Sequence, residues 1–386
     1  MNLAFTPSAW EDLNYWADKD RATYKKVRAL LKEVLRTPFE GTGKPEPLKY
    51  QLGNVWSRRI TEEHRLVYAV EEEQIVALAA RFVRMSKMLH QKWPIYGAYR
   101  DASRGFREAV DRLAAGVPWE KAGSLSAAND PAVRVAPLAL WSRDHRVVLF
   151  RDDVARSVLP THRDPRALAG AMAVGYALVH LVNLPAPGRF DPRGFLHEVM
   201  EFTADAEAYI ARSFWPADSR LPRDAAHDLS SILKRADGWL GHTLPAALDS
   251  VTRAARPLGD GKVRASSAFA VASVPTALLI LARSAAHPRQ AVIDAVNIGG
   301  DAGSIGAMVA AMAGALHGLR AFPAEWLAGL QNADALRARA VALAEGTGLP
   351  ADAPKLPRME AALTEAELPR LRERRHTERK EDPDDQ

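Results

Sequence analysis

The hydrophobic pattern of this chain changes once, near residue 84, and this change constrains the fold more than any other feature. Before it, helix-like and strand-like spacings follow one another. After it, to about residue 345, the chain is rich in alanine and leucine, with helical spacing and no credible strand. A length of 386 residues suits two or three domains. We therefore predict a multidomain protein, a small α+β domain followed by an all-α domain.

The first 84 residues predict two helices on an antiparallel sheet. The second helix has apolar residues at helical spacing, namely Val27, Leu30, Leu31, Val34 and Leu35. Strand-like segments follow at residues 55–61, 65–70 and 74–82, and an acidic turn at residues 71–73 separates the last two. These segments predict a three-stranded antiparallel meander.

The predicted domain boundaries follow the changes in pattern. We expect a first domain over residues 1–84, a linker over 85–96 and a helical domain over 97–350. We expect residues 351–386 to form a charged, partly disordered tail, because residues 367–386 carry dense charge and almost no apolar residues.

Composition excludes several classes of protein. The absence of cysteine rules out disulfides, thiolate metal sites and thiol nucleophiles. The first residues lack the pattern of a secretion signal. The longest apolar stretch, residues 265–282, contains three serines and a proline, which favours a buried helix over a membrane span. We expect a cytoplasmic protein without a membrane partner.

The first domain contains the groups that RNA cleavage needs. Attack by the 2′-hydroxyl requires a base, cations that neutralise the phosphorane, and an acid for the leaving oxygen. Residues 1–92 hold 16 Lys and Arg against 12 Asp and Glu. Glu46 lies in a Gly/Pro-rich loop beside two lysines, and four arginines lie on the predicted strands: Lys44, Lys49, Arg58, Arg59, Arg65 and Arg81. The alternative is a solvated basic sheet face with ordinary ion pairs.

The segments GKPEPLK, WSRRI and EEHRLVY resemble the YoeB toxins of the RelE superfamily, and the similarity runs from Met1 to Phe82. The resemblance implies a ribosome-dependent endoribonuclease, or mRNA interferase, that cuts message in the ribosomal A site and needs no cofactor. It implies an antitoxin partner encoded nearby and a homodimer, unless the long extension blocks dimerisation. It implies that Glu46 is the general base, that Arg65 stabilises the phosphate, and that Lys49 and Arg59 hold RNA.

One departure from the toxin pattern affects the expected activity. The family ends in an Arg-aromatic-His-Tyr sequence whose last two residues act as acid and as RNA-positioning group. Here the sequence reads Arg81-Phe82-Val83-Arg84 and continues. Because valine cannot donate a proton, we expect an attenuated nuclease.

Asp301 is the candidate metal ligand of the helical region. It follows Gly-Gly at a predicted helix start, with the Ser304 hydroxyl three residues later, and oxygen donors suit a hard divalent cation. The alternative is that Asp301 caps the helix and complements its dipole. His162, within Thr-His-Arg-Asp-Pro, has the same ambiguity.

Three segments resemble, in order, motifs of the DraG-type ADP-ribosylglycohydrolases: SAANDPAVRVAPLAL, THRDPRALAGAMAVGYALVH and VNIGGDAGSIGAMVAAMAGALHGLRAFPAEWL. The resemblance covers about Tyr96 to Ala344. It implies an all-α fold that removes ADP-ribose from modified side chains with two magnesium ions. It implies that Asp301 and Ser304 belong to the metal motif and that Asn129 and His162 belong to the ADP-ribose site.

Three departures predict a truncated, degenerate glycohydrolase. Gly303 stands where the motif has a second metal aspartate, and Asp130-Pro131 follows Asn129 where it has glycine. The opening Gly-Asp-Ala and Thr-Asp-Asp-Thr motifs are missing between the toxin-like region and the Asn129 loop. We therefore do not expect tight magnesium binding.

These observations leave three hypotheses for the function. The first, which we favour, is a YoeB-like endoribonuclease with a non-catalytic helical module. The second is a binding protein for the ribosome, an antitoxin or an ADP-ribosylated partner, with both halves inactive. The third is a working ADP-ribosylhydrolase whose missing ligands come from elsewhere.

Overall fold

The structure is a computed structural model that describes residues 7–34, 37, 40–47, 55–69, 72–86, 102–143, 147–214 and 227–347, with short pieces between 353 and 369. The chain forms two compact units. One comprises Met1–Leu78 with Ala340–Pro350, and the other comprises Ala79–Arg339 with Ala351–Gln386. The domain boundaries at residues 84, 96 and 350 stay predictions.

The first unit begins with two helices, α1 (Pro7–Lys19) and α2 (Arg21–Val34). The predicted apolar stripe of α2 is confirmed over its described residues, because Val27, Leu30, Leu31 and Val34 are all buried. A small core joins α2 to Ile60, with Leu13 and Leu66 packed against it. Burial of a leucine or valine side chain stabilises a fold by roughly 1.5–3 kcal/mol, so this stripe fixes which face of α2 meets water.

The sheet of the first unit is an antiparallel meander of β1 (Glu46–Pro47), β2 (Val55–Arg59) and β3 (Arg65–Ala69), in that order. Glu46 pairs with Ser57 across β1 and β2, and Arg59 pairs with Arg65 across β2 and β3. Successive side chains of a strand point to opposite faces. Ser57 and Arg59 therefore share one face, and Trp56 and Arg58 share the other.

The predicted strand at residues 74–82 is wrong, because this segment lies in helix α3 (Glu72–Ser86). Ile75, Leu78, Ala79 and Phe82 are spaced i, i+3, i+4 and i+7, which is the apolar stripe of a helix. Arg84 in the last turn complements the helix dipole. The sheet still has three strands, because the short strand β1 pairs with the edge of β2 that β3 leaves free.

Over its described residues the second unit is all-α, as predicted. Its core surrounds helix α9 (Pro165–Val182), which contacts α10 (Pro192–Ser213), α13 (Ala270–Ser284) and α15 (Ala302–His317). The bounds are α4 (Arg104–Ala114), α5 (Trp119–Ala122), α6 (Asp130–Arg134), α7 (Ala136–Trp141), α8 (Val147–Val158), α9 (Pro165–Val182), α10 (Pro192–Ser213), α11 (Asp228–Ala236), α12 (Leu244–Ala255), α13 (Ala270–Ser284), α14 (Pro288–Val296), α15 (Ala302–His317), α16 (Ala324–Ala328) and α17 (Ala333–Glu345).

Two apolar helices bear on the membrane question. By length and composition α9 could cross a membrane, and it is the single helix of the described residues that passes this test; 72% of it is buried within the protein. Helix α13 covers most of the predicted apolar stretch, and 13 of its residues are buried. Both are packed as core helices.

Candidate functional site

One face of the small sheet brings together an acid and two arginines. Glu46 on β1 lies opposite Ser57 on β2, and Arg59 on β2 lies opposite Arg65 on β3. The side chains of Glu46 and Arg65 are 61% and 41% exposed, so this face is open to solvent. The sheet register thus places the predicted base beside the predicted phosphate-binding cation.

Arg65 is held by two contacts on this face. Its Nη1 atom lies 3.3 Å from Oε2 of Glu46 and donates a hydrogen bond of 3.1 Å to Oγ of Ser57. Ser57 is completely buried, so its hydroxyl is a fixed acceptor that orients the guanidinium. Sequence reasoning missed Ser57; its place two residues before Arg59 on one strand was the available signal.

Arg59 and Arg65 place two positive charges directly opposite each other in the ladder. Like charges in such a position destabilise a sheet by roughly 0.2–1 kcal/mol. A bound anion that accepts hydrogen bonds from both guanidinium groups removes this repulsion, and a phosphodiester has the required oxygens. The face therefore has the charge pattern of a phosphate site.

Arg58, one residue away, has a different environment. Its side chain is fully buried. It donates hydrogen bonds to the carbonyl oxygens of Thr37, Glu40 (2.8 Å) and Thr42 (3.1 Å) and to the Tyr68 hydroxyl (3.1 Å). This burial does not fit the predicted contact of Arg58 with RNA. Strand alternation sends Arg58 to the core face, where it fastens the loop that leads to Glu46.

The loop before β1 depends on two glycines. Gly41 and Gly43 have φ angles of +115° and +83°, values that L side chains rarely adopt. A Cβ atom on Gly41 would lie 1.9 Å from the carboxylate of Glu33, which accepts the backbone N–H of Thr42 at 2.7 Å. That hydrogen bond, together with the charge of Arg58, holds the pKa of Glu33 below its usual value. The glycines and Glu33 thus shape the approach to Glu46.

Two of the other predicted RNA-binding residues, Lys44 and Arg81, lie in the described part of the chain. Lys44 is exposed in the loop, with a φ angle of 50°. Arg81 is exposed on α3, and not on a strand as predicted. Lys49 lies outside the described residues. His64 closes the turn between β2 and β3 through contacts with Thr61, at 2.9 Å, and the ring of Trp16.

A second set of predicted residues meets in the helical unit. Asp301 precedes the first residue of α15 and accepts two hydrogen bonds. One comes from the Ser304 hydroxyl at 2.8 Å and the other from the Asn129 amide at 2.7 Å. The Asn129 amide also donates to the Ser273 hydroxyl at 3.0 Å, and only 2% of Asn129 is exposed. The structure thus joins three of the four predicted residues of this half.

Backbone contacts fix this cluster. The Asn129 N–H donates to the Ala268 carbonyl at 2.9 Å, and the Asp301 N–H donates to the Ser266 carbonyl at 2.7 Å. Gly300, with φ +57°, approaches Ser266 so closely that a Cβ atom would lie 2.5 Å from its carbonyl oxygen. Residues 266–268 therefore connect the Asn129 loop to the start of α15.

His162 lies apart from Asp301, in a buried cluster. Its Nδ1 atom contacts the Thr161 hydroxyl at 3.0 Å, and its Nε2 atom lies 3.5 Å from the Asp130 carboxylate. Burial, aided by the charge of Arg134, lowers the pKa of His162, so the ring is neutral at pH 7. Burial also lowers the pKa of Arg134 to about 10. Arg134 lies over the rings of Phe82 and Phe106, at 5.7 and 5.9 Å.

The residues around Asp301 do not fit a centre of two magnesium ions. Magnesium takes oxygen ligands in near-octahedral geometry and usually needs carboxylates. Both carboxylate oxygens of Asp301 already accept hydrogen bonds, and Asn129 presents an N–H group to one of them. In the part of the chain that the structure describes, no three His, Asp or Glu side chains are grouped to hold a metal ion.

A cavity of about 780 Å³ opens beside the same loop. Its wall includes Ala127, Arg166, Leu258, Lys262, Ser267 and Phe269. The guanidinium carbon of Arg166 lies 5.2 Å from the ring centre of Phe269 and is paired with Asp164 at 2.9 Å. Cavities of this size accept small organic ligands, and the wall carries Lys262 and Asp260 in addition to the paired Arg166. No motif in the sequence predicted this cavity.

Comparison with known proteins matches both halves. The family of YoeB-like toxins of bacterial type II toxin-antitoxin systems matches residues 5–83, and the ADP-ribosylglycohydrolase family matches residues 50–353. Toxin YoeB of Escherichia coli is 51% identical over 82 residues, which are 21% of this chain and 98% of that protein. Toxin YoeB of Streptomyces coelicolor is 46% identical over the same shares of each chain.

The helical half has more distant relatives. The uncharacterized protein YegU of Escherichia coli is 28% identical over 222 residues, 55% of this chain and 57% of that protein. A solved structure described as an ADP-ribosylglycohydrolase-related protein complex has a TM-score of 0.43 and 23% identity, over 73% of this chain and 82% of its own. The chain therefore belongs to the ADP-ribosylglycohydrolase family and carries a YoeB toxin domain at its amino end.

Proposed function

We propose that the first unit is a ribosome-dependent endoribonuclease, an mRNA interferase of a type II toxin-antitoxin system. One observation carries the proposal: Glu46, Arg59 and Arg65 share the open face of the sheet, with the acid 3.3 Å from a cation. A base beside two cations is the arrangement that in-line attack by a 2′-hydroxyl requires. The match of residues 5–83 to the toxin family supports it.

In the proposed reaction, the Glu46 carboxylate takes the proton of the 2′-hydroxyl. The 2′-oxygen then forms a bond to phosphorus and the bond to the 5′-oxygen breaks, which yields a 2′,3′-cyclic phosphate and a 5′-hydroxyl. Arg65 and Arg59 donate hydrogen bonds to the non-bridging oxygens, where negative charge develops. Ser57 orients Arg65, and Arg58 positions Glu46 through the loop.

Water supplies the proton for the leaving 5′-oxygen in this proposal. Val83 stands where the toxin pattern has histidine, and it lies on α3. Loss of a general acid lowers a rate about 10²–10⁴-fold. We therefore propose an attenuated nuclease.

We further propose that the helical unit has no glycohydrolase activity and no tightly bound magnesium, since Asp301 is the sole metal-motif carboxylate of its cluster. Partners by this account are mRNA, the ribosome and a cognate antitoxin, with a homodimer and a cytoplasmic location as in the toxin resemblance. The nuclease itself requires no cofactor.

Growth arrest on expression tests the nuclease proposal. We expect arrest by the wild-type chain and none by the Glu46→Gln or Arg65→Ala variant. Glu63→Gln is the matched control, because Glu63 is an exposed acid in the turn between β2 and β3, and it should still arrest growth. Arrest that persists in both site variants contradicts the proposal.

The cavity beside the Asn129 loop favours a second candidate function, non-catalytic binding of ADP-ribose or of an ADP-ribosylated protein. Arg166 and Lys262 would face the diphosphate, and Phe269 would contact an aromatic base. Calorimetry with ADP-ribose tests it, with Lys262→Gln expected to weaken binding and the exposed Lys234→Gln to leave it unchanged. No heat of binding from the wild-type chain would reject this candidate.

A further inference from the structure

Helix α2 carries a straight row of basic side chains. Arg21, Lys25, Arg28 and Lys32 are separated by four, three and four residues, and all four are exposed. Residues three and four apart lie on the same face of a helix, with Cβ atoms about 5–6 Å apart. The basic row therefore runs along most of α2 on one face.

The core fixes the direction of the basic row. The opposite face of α2 buries Val27, Leu30, Leu31 and Val34, so the helix cannot rotate to hide the charges. For the same reason α2 has no free apolar face to insert into a lipid surface, which membrane-bound amphipathic helices need. The row is a permanent feature of the surface.

The charges of the basic row are not neutralised within the described structure. None of the four forms an ion pair with another described residue, and Arg28 contacts the ring of Tyr24 at 5.8 Å. Glu33, the one acidic residue of α2, is engaged by the Thr42 N–H and lies 3.5 Å from Arg58. The row thus presents four cations to an outside partner.

We infer that the basic row binds the phosphate backbone of folded RNA. This contact is separate from the binding of the single-stranded message at Glu46 and Arg65. The inference rests on the proposed function, since it places a second RNA contact on the same unit. A row of cations along one helix face can contact several phosphates of one polyanion, and each such contact releases counterions from the nucleic acid. The row contains no exposed apolar or aromatic anchor of the kind that protein interfaces need, so a polyanion fits better than a protein.

The test measures binding of a fluorescent RNA hairpin to the full-length chain over a range of salt concentrations. All proteins carry Glu46→Gln, so that cleavage does not interfere. The row variant changes Arg21, Lys25, Arg28 and Lys32 to Gln. The matched control changes four exposed basic residues of the helical unit to Gln: Arg107, Lys121, Arg189 and Lys234.

We expect the row variant to bind more weakly and to show a shallower salt dependence. Each phosphate contact contributes about 0.9 to the slope of log Kobs against log salt for a duplex, so the loss of four contacts lowers it by about 3–4. The control variant should keep the wild-type slope. An unchanged slope in the row variant, or an equal loss in the control, overturns the inference.

Two further outcomes separate this inference from the proposed nuclease. Normal hairpin binding by the row variant, with message cleavage that still depends on Glu46, refutes the row and leaves the nuclease standing. Salt-dependent binding through the row, with no message cleaved on ribosomes by the chain that retains Glu46, supports the row and refutes the nuclease. Loss of antitoxin binding with unchanged RNA binding would assign the row to an acidic protein and overturn the inference.

Discussion

Replacement of Arg58 by alanine should destabilise the first unit strongly, although neighbouring Arg59 should tolerate the same change. Arg58 is fully buried, and its guanidinium group donates to three backbone carbonyls, those of Thr37, Glu40 and Thr42. Thr37, Glu40 and Thr42 are exposed residues, so water can satisfy part of the freed carbonyl groups, and each costs an amount at the low end of about 1–3 kcal/mol. Removal of one partner from a buried charged network costs about 3–5 kcal/mol, and we expect Arg58→Ala to fall in this range.

Hydrogen exchange of the backbone amides of β2 and β3 is the suitable assay, because a chain of two units need not unfold in one step. Arg58→Ala should lower the exchange protection of the β2 and β3 amides by about 3–5 kcal/mol. Arg59 is exposed, so Arg59→Ala should change protection by less than about 0.5 kcal/mol. RNA binding should show the opposite order, with a direct loss for Arg59→Ala.

The structural role of Arg58 is refuted by one clear pattern. If Arg58→Ala leaves exchange within the range of the Arg59→Ala control, yet weakens RNA binding as strongly, Arg58 contacts RNA. A stable Arg58→Ala protein would also contradict the role of Arg58 in holding the loop that positions Glu46.

Three other predictions concern the helical unit. The wild-type Tm should be the same in magnesium and in a chelator, and a rise with magnesium would contradict this. The Asn129→Asp variant places a second carboxylate beside Asp301, so its free energy of unfolding should fall by about 1–3 kcal/mol. Magnesium should restore part of that loss. Burial raises the pKa of Glu207 to about 8 from 4.5, so the stability present below pH 4.5 is lost as pH rises to 8, by an amount on the order of 5 kcal/mol. Denaturant midpoints should show this slope and should be flat in Glu207→Gln; equal slopes would refute it. Gly300→Ala should lower the Tm, because Gly300 has a φ angle of +57° and a Cβ atom there would meet Ser266. Gly303→Ala should raise the Tm, because a Cβ atom at Gly303 meets no atom within 4 Å and alanine favours a helix. The reverse order of Tm values would refute this.

Local sequence patterns predicted an element correctly where the spacing of apolar residues fits either a helix or a strand, but not both. The stripe of α2 is long enough to establish a helix, and β2 and β3 are short segments with valine and aromatic residues on either side of a polar turn. The segment at residues 74–82 was ambiguous, because Ile75, Leu78, Ala79 and Phe82 fit a helix while the short apolar run also fits a strand. The strand β1 has only two residues, and it forms because β2 supplies its hydrogen-bonding partner.

The candidate site was predicted as a set of residues and not as a geometry. Glu46 and Arg65 lie 19 positions apart, and their contact depends on the sheet register. The alternation of β2 could have separated Arg58 from Arg59, because adjacent residues of a strand face opposite sides. No local pattern could show that Asn129 reaches Asp301, since 172 positions separate them and only the packed helices bring them together.

In vitro translation on purified bacterial ribosomes with a defined mRNA tests the central claim most directly. The 5′ ends of the message are mapped with the wild-type chain, with Glu46→Gln and with the Glu63→Gln control. The account predicts cuts in the A-site codon with the wild-type chain and the control, and none with Glu46→Gln. Retained ribosome binding without cuts, or the same cuts with Glu46→Gln, would contradict it.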